Sequence, residues 1–193
     1  MKIGVLALQG AFREHRNMVE ACGHEVIEVR KPVELDQIQG LIIPGGESTT
    51  ITKLMREFQL EQAIVSRAEV GMPIYGTCAG LIVLAKDIIG SSQPSLNLMD
   101  ISVQRNAFGR QIDSFECELA IPVLGYKPFA AVFIRAPLIE RVAPNVGILA
   151  QYDSKIVFAR QGNFLASSFH PELTNDKRIH QYFIQMVEEA INK

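Results

Sequence analysis

Three short segments of this sequence carry side chains that could do chemistry together. Gly76-Thr77-Cys78-Ala79-Gly80 sets a thiol between glycines, after one apolar run and before another. His170-Pro171-Glu172 sets an imidazole beside a carboxylate, and Pro44-Gly45-Gly46-Glu47-Ser48 closes a further apolar run. A thiol attacks an amide when a base takes its proton, and the base works best when a third group orients it. The pattern around Cys78 is strand, sharp turn, helix, the context of a nucleophile elbow with Cys in place of Ser. Glycines suit so crowded a turn, and a helix N-terminus favours thiolate over thiol.

His170 follows the apolar run Phe164 to Phe169, and Pro171 biases it to an extended backbone. In an extended chain residues i and i+2 share a side, so His170 and Glu172 read as an imidazole–carboxylate dyad. His15 and His180 lie in helical patterns with polar neighbours and His24 follows a helix-ending glycine, so each reads as solvated or capping. Cys22, on the core side of the first helix, and Cys117, in an alternating strand, lack glycine punctuation and read as small buried apolar groups. In the third segment glycines can expose backbone N–H groups, and Glu47-Ser48-Thr49-Thr50 resembles a helix start. An oxyanion hole follows, with one N–H from Gly46 and one from Ala79.

The elements that must position these groups alternate through the first half. Ile3–Leu8, Glu25–Val29, Leu41–Ile43 and Pro73–Tyr75 read as strands. Ala11–Ala21, Thr50–Val70 and Ala79–Lys86 read as helices. Such alternation implies right-handed crossovers and a parallel sheet covered on both faces, beyond whose carboxyl edge ligands gather. The second half changes rhythm, with strands at Ile101–Arg105, Phe115–Ile121, Val132–Arg135, Gly147–Tyr152, Lys155–Arg160 and Phe164–Phe169. Asp153-Ser154 and Gly162-Asn163 read as turns between the last of these, which extend the sheet as antiparallel hairpins. Ile179, Tyr182, Phe183, Met186, Val187, Ala190 and Ile191 form the apolar stripe of a C-terminal helix. The fold class is α/β, one domain over residues 1–193, with a mostly parallel central sheet extended by antiparallel strands.

Composition narrows the function. With 48% hydrophobic and 21% charged residues the chain is an ordinary globular protein. Nineteen Lys+Arg against 21 Asp+Glu give a net charge of -2 without long runs of one sign, so no nucleic-acid or anionic-lipid partner is expected. Apolar runs such as Leu81–Ala85 fall far short of the ~20 residues of a membrane span. The 3 cysteines include no C-x-x-C, so neither a disulfide framework nor a metal site is expected, and with no signal-peptide pattern the chain reads as cytoplasmic.

Taken together, G-T-C-A-G, P-G-G-E-S and F-H-P-E resemble the class I glutamine amidotransferases. Leu8-Gln9-Gly10, P-G-G-E-S-T-T, the stretch from Arg105 through Asn106 and Phe108 to Glu116, Phe133-Ile134-Arg135-Ala136-Pro137 and S-F-H-P-E-L are similar, more narrowly, to the glutaminase subunits of pyridoxal 5′-phosphate synthases. The resemblance implies a flavodoxin-like three-layer sandwich. It implies Cys78 as nucleophile, His170 as general base then acid, and Glu172 as orienter. It further implies L-glutamine bound by Gly46, Glu47, Ser48, Arg105, Ile134 and Arg135, with no cofactor or metal. Its implied partner is a (β/α)₈-barrel synthase subunit in a hetero-oligomer, which receives the ammonia and combines it with ribose 5-phosphate and glyceraldehyde 3-phosphate. The chain itself has no P-loop or G-x-G-x-x-G with which to hold such phosphates. Gly45 and Gly46 leave the oxyanion peptide free to turn, so the isolated chain is expected to be weakly active.

Other readings remain open on the residues alone: a glutaminase serving another synthase, a cysteine peptidase or amide hydrolase on the same scaffold, or a non-catalytic protein whose Cys78 senses oxidants.

Overall fold

The period-2 alternation of short apolar strands decides the layering. In β1 (Lys2–Leu6) Ile3 and Val5 join one core cluster while Leu6 joins another. The computed structural model describes residues 1–107 and 114–192. Its further elements run α1 (Phe12–Ala21), β2 (Glu25–Val29), β3 (Gly40–Ile43), α2 (Ser48–Glu57), α3 (Leu60–Glu69), β4 (Ile74–Thr77), α4 (Ala79–Leu84), β5 (Ala85–Ile88) and β6 (Met99–Gln104). They continue with β7 (Ser114–Leu119), β8 (Phe129–Ile134), β9 (Leu138–Val142), β10 (Gly147–Tyr152), β11 (Lys155–Gln161), β12 (Phe164–Ser167) and α5 (Arg178–Ile191). In β3, Ile42 faces the same cluster as Val5, and Leu41 and Ile43 face the other. One cluster lies under α2, α3 and α4; the opposite one holds Val19 of α1 and Ile179, Phe183 and Val187 of α5. The chain is a three-layer α/β sandwich, as its sequence pattern predicts.

Among the described residues the main sheet has the order β2-β1-β3-β4-β12-β11-β9-β6-β5, with β10 added beside β11. The strands from β2 to β12 are mutually parallel, whereas β12, β11, β9 and β6 pair antiparallel in turn. The pairing that matters for function is β4 with β12, in register Thr77 to Ser167. It sets the carboxyl ends of the two strands side by side, so the residues just beyond them, Cys78 and His170, come to one place.

Four details depart from the sequence pattern. The mostly helical segment Thr50–Val70 is divided in two: Gln59 takes a left-handed φ of 59°, between the end of α2 and the start of α3, which buries Leu60, Ile64 and Ala68. The helix after Cys78 stops at Leu84, since residues from Ala85 onward are extended and pair with β6. β5 and β9 were not foreseen; β5 gains its partner from β6, and β9 from β11 and β6. β7 and β8 do not extend the main sheet but form a separate ribbon that lays Phe129 and Phe133 against Phe169. Residues 108–113 of the stretch between Arg105 and Glu116 lie outside the described residues.

Candidate active site

Cys78 sits where β4 turns into α4, with φ 50° and ψ -102°, a left-handed backbone that an L-residue adopts only when its surroundings impose it. The surroundings do so through close backbone packing. A Cβ on Gly76 would strike the carbonyl of Gly80, and one on Gly80 would strike the carbonyl of Ile43 in β3. The two glycines let α4 press onto the sheet, and the Cys78 N–H is tied to the Ser167 carbonyl at 2.8 Å. Its Sγ lies 3.8 Å from the Ile134 carbonyl, at the end of β8. Because α4 has only 6 residues, its dipole is a smaller aid to the thiolate than a full helix would be.

His170 is buried just past β12, its N–H bonded to the Val132 carbonyl of β8 at 2.8 Å. Its Nδ1 meets Glu172 Oε1 at 2.7 Å. The dyad predicted from His170-Pro171-Glu172 therefore forms, although by a 3₁₀ turn over Pro171–Leu173 rather than an extended strand. Burial opposes a charged imidazole here, yet hydrogen bonds and charges from Cys78 and Glu172 overcome it and raise the His170 pKa to about 10. Burial likewise pushes the Glu172 carboxyl up, but the facing His15 and His170 hold it below its ordinary value. An imidazolium between a sulfur and a carboxylate is the state that favours thiolate attack.

His15 and His180 are neither solvated nor capping groups, contrary to expectation. Both are fully buried, because α1 and α5 pack their polar-looking faces against the sheet end rather than toward water. His15 Nδ1 lies 2.9 Å from His180 Nε2, while His15 Nε2 lies 3.0 Å from Thr77 Oγ1 and 3.4 Å from Glu172 Oε2. Burial lowers the pKa of His15, and burial together with His15 lowers that of His180 to about 3, so both are neutral. Helical spacing could not single them out, since the groups they meet come from distant strands. Cys22 and Cys117 are half-buried, packed at the margin of the α1–α5 core.

A cleft of about 270 Å³ opens over Cys78. Gly46, Glu47, Ser48, Ala79, Arg105, Ile134, Arg135 and His170 all line it, so every predicted substrate-binding residue is gathered here. Glu172 lies behind His170, out of the cleft. Gln9, Ile82, Asn106 and Pro137 also line it. Their roles were not read from the sequence, although Gln9, Asn106 and Pro137 stand inside the diagnostic segments. Glu47 caps α2, its carboxylate taking the Thr49 N–H at 3.4 Å, and pairs with Arg105 at 3.1 Å. Gln9 Oε1 accepts the Glu47 N–H at 2.8 Å, and Arg135, with φ 42°, is exposed. The Gly45 carbonyl accepts the Ala11 N–H at 3.0 Å, which turns the Gly46 N–H of the same trans peptide the opposite way. A side chain at Gly45 would collide with the His170 ring. Ala79 is the first residue of α4, where an N–H has no acceptor within the helix. Among the described residues no cluster of His, Cys, Asp and Glu is arranged to hold a metal ion, and no helix is long and apolar enough to cross a membrane.

The model of the SNO glutamine amidotransferase family matches residues 5–189. This chain belongs to that family. It is 62% identical, over 97% of its length and the whole of the other protein, to a protein of Desulforamulus reducens named pyridoxal 5′-phosphate synthase subunit PdxT. A protein of the same name in Pelotomaculum thermopropionicum is 60% identical over 98% of this chain and 97% of that one. A crystal structure described as a glutamine amidotransferase superposes with a TM-score of 0.92 at 49% identity, covering 96% of this chain and 98% of that one. Family membership thus agrees with the resemblance carried by the elbow, the P-G-G-E-S loop and the terminal F-H-P-E.

Proposed function

We propose that the chain is the glutaminase subunit of a pyridoxal 5′-phosphate synthase, hydrolysing L-glutamine to L-glutamate and ammonia for vitamin B6 synthesis. The observation that carries this reading is the placing of Cys78 and His170 at the floor of a cleft, with Glu172 behind His170, and of both a guanidinium and a carboxylate on its rim. At about 270 Å³ the cleft lies just below the ~300–1,000 Å³ of sites for drug-sized ligands, room enough for a free amino acid. Arg105 or Arg135 would take the α-carboxylate, and Glu47 the α-ammonium. Glu47 and Arg105 now pair with one another, a contact that a zwitterion can replace charge for charge.

The Cys78 sulfur attacks the side-chain carboxamide carbon, and the oxygen gathers charge facing the N–H groups of Gly46 and Ala79. His170 gives its proton to the nitrogen as the carbon–nitrogen bond breaks, so ammonia leaves and a γ-glutamyl thioester remains. His170 then takes a proton from water, whose oxygen displaces the sulfur to give glutamate and restore the pair. Glu172 holds the imidazole in orientation throughout.

The ammonia passes to a (β/α)₈-barrel synthase subunit in a hetero-oligomer, and the whole chain serves as one glutaminase domain. Its 3 cysteines are unpaired, which supports a reducing, cytoplasmic setting. Alone, the chain is weakly active in this reading, because the Gly45–Gly46 peptide, bonded to Ala11 through its carbonyl, can turn its N–H away from the oxyanion. One such donor contributes about 3 kcal/mol to the transition state. The test is glutamine hydrolysis by the purified chain with and without the synthase subunit, coupled to pyridoxal 5′-phosphate formation. Equal rates in the two arms would refute the gate, and no glutamate in either would refute the function.

A further inference from the structure

The reaction just described uses one oxygen of Glu172 and neither of the two buried histidines behind it. Glu172 Oε2 has no hydrogen-bond partner in strict geometry among the described residues, although it is wholly enclosed. An ionised oxygen so enclosed is costly unless a donor faces it. The group that faces it is His15 Nε2 at 3.4 Å. We propose that His15, braced by His180, is a positioning residue that shares its Nε2–H between Thr77 and Glu172 and so fixes the carboxylate that orients His170.

The tautomer is assigned from the network. Were the proton on His15 Nδ1, a bare Nε2 lone pair would face the carboxylate, and His180 would be left with an enclosed Nδ1–H that has no acceptor. With the proton on His15 Nε2, His180 Nε2–H donates to His15 Nδ1 at 2.9 Å, and the ring nitrogen left without a partner among the described residues, His180 Nδ1, is an acceptor rather than a donor. The second arrangement is the cheaper. Every group around His15 fits a neutral donor. From β4 come Thr77 and the edge of Tyr75, whose hydroxyl is engaged with Ser167 at 2.8 Å; from the 3₁₀ turn come Glu172 and His170; from α5 comes His180; and Glu14 is its neighbour on α1. Burial that keeps His15 neutral suits this role, because a neutral N–H steadies the carboxylate without taking His170's place as its charged partner.

The inference rests on the triad reading, and the experiment separates the two. Glutamine hydrolysis by the complex with the synthase subunit is measured from pH 6 to 10 for Cys78→Ala, His15→Leu, His15→Gln and His15→Asn, with thermal melting in parallel. A glutamine side chain can place its N–H near Nε2, whereas asparagine reaches only the Nδ1 position. The expected result is a roughly tenfold to hundredfold lower kcat for His15→Leu and His15→Asn, with KM within about twofold. Their alkaline limb should also move to lower pH, because a loosened Glu172 supports the His170 charge less; His15→Gln should restore both. The Gln and Asn comparison stands even if His15→Leu does not fold. Equal defects in Gln and Asn, or unchanged kcat and pH profile in both, would overturn the positioning role while leaving the triad intact. Continued hydrolysis by Cys78→Ala would overturn the triad itself.

Discussion

The floor of the cleft and its rim are built on opposite principles. Cys78 and His170 at the floor, and Glu172, His15 and His180 behind it, are all buried and hang from the ends of β4 and β12 or from helices packed against them. At the rim, Glu47 and Arg135 are exposed and Arg105 is half-exposed, and the Glu47–Arg105 pair spans a loop and a strand end. Buried groups cannot be rearranged without leaving an orphaned charge, so their geometry is set by folding. Exposed ion pairs are worth little to stability and can exchange partners with an incoming zwitterion. Chemistry is thereby kept rigid, and recognition stays adaptable.

The comparison can be broken most sharply at the floor. In the complex, Cys78→Ala should lower glutamine-dependent synthesis on the order of 10⁶-fold while synthesis from ammonium salts continues; His170→Asn should behave nearly the same. Glu172→Gln should retain more, with a loss of about 10⁴-fold, since an orienter contributes less than a nucleophile. Small and equal losses in the three would dissolve the triad. Gly80→Ala tests the packing beneath the elbow: its methyl must displace the Ile43 carbonyl, costing about 3 kcal/mol by urea denaturation. A melting curve indistinguishable from the parent would show that the sheet yields there.

At the rim the effects should be smaller and of another kind. Arg105→Ala should raise the KM for glutamine by about tenfold to a hundredfold, with kcat within about threefold, the loss of one charge-assisted contact. Its stability should change by less than about 1 kcal/mol. A collapse of kcat without a KM change would place Arg105 in the chemistry instead. The smallest effect is a pH dependence of stability. His15 and His180 have folded pKa values below that of free imidazole, so the unfolded chain binds protons first as pH falls. The His180 contribution is complete above about pH 6.5 and is lost toward about pH 3, by about 1 kcal/mol over the first unit, and that of His15 falls in the same direction. His180→Leu should flatten that acid slope in denaturant midpoints measured from pH 7 to 5. An unchanged slope would mean that His180 is not the buried neutral group described.

Local chemistry was legible wherever neighbours in sequence are also neighbours in space. G-T-C-A-G announces its turn because the glycines that admit the close packing flank the cysteine itself, and His170 with Glu172 meet within one short turn. The alternation of short apolar runs with helical patterns through the first half was enough to predict an α/β chain with a parallel sheet covered on both faces. What a one-dimensional pattern cannot carry is which strand ends adjoin. His15 looks like a surface histidine on an amphipathic helix until β4 and β12 pair and α5 closes over them, at which point it faces Glu172. β5 likewise becomes a strand because β6 offers it an edge, and β9 because it lies between β11 and β6. Residue types and their spacing thus determined the layers, the turn and the reactive groups, whose reasons are local sterics and periodicity. Tertiary structure alone decided the union of nucleophile and base, the ion-paired rim and the buried histidine pair, because each depends on contacts between residues far apart in the chain.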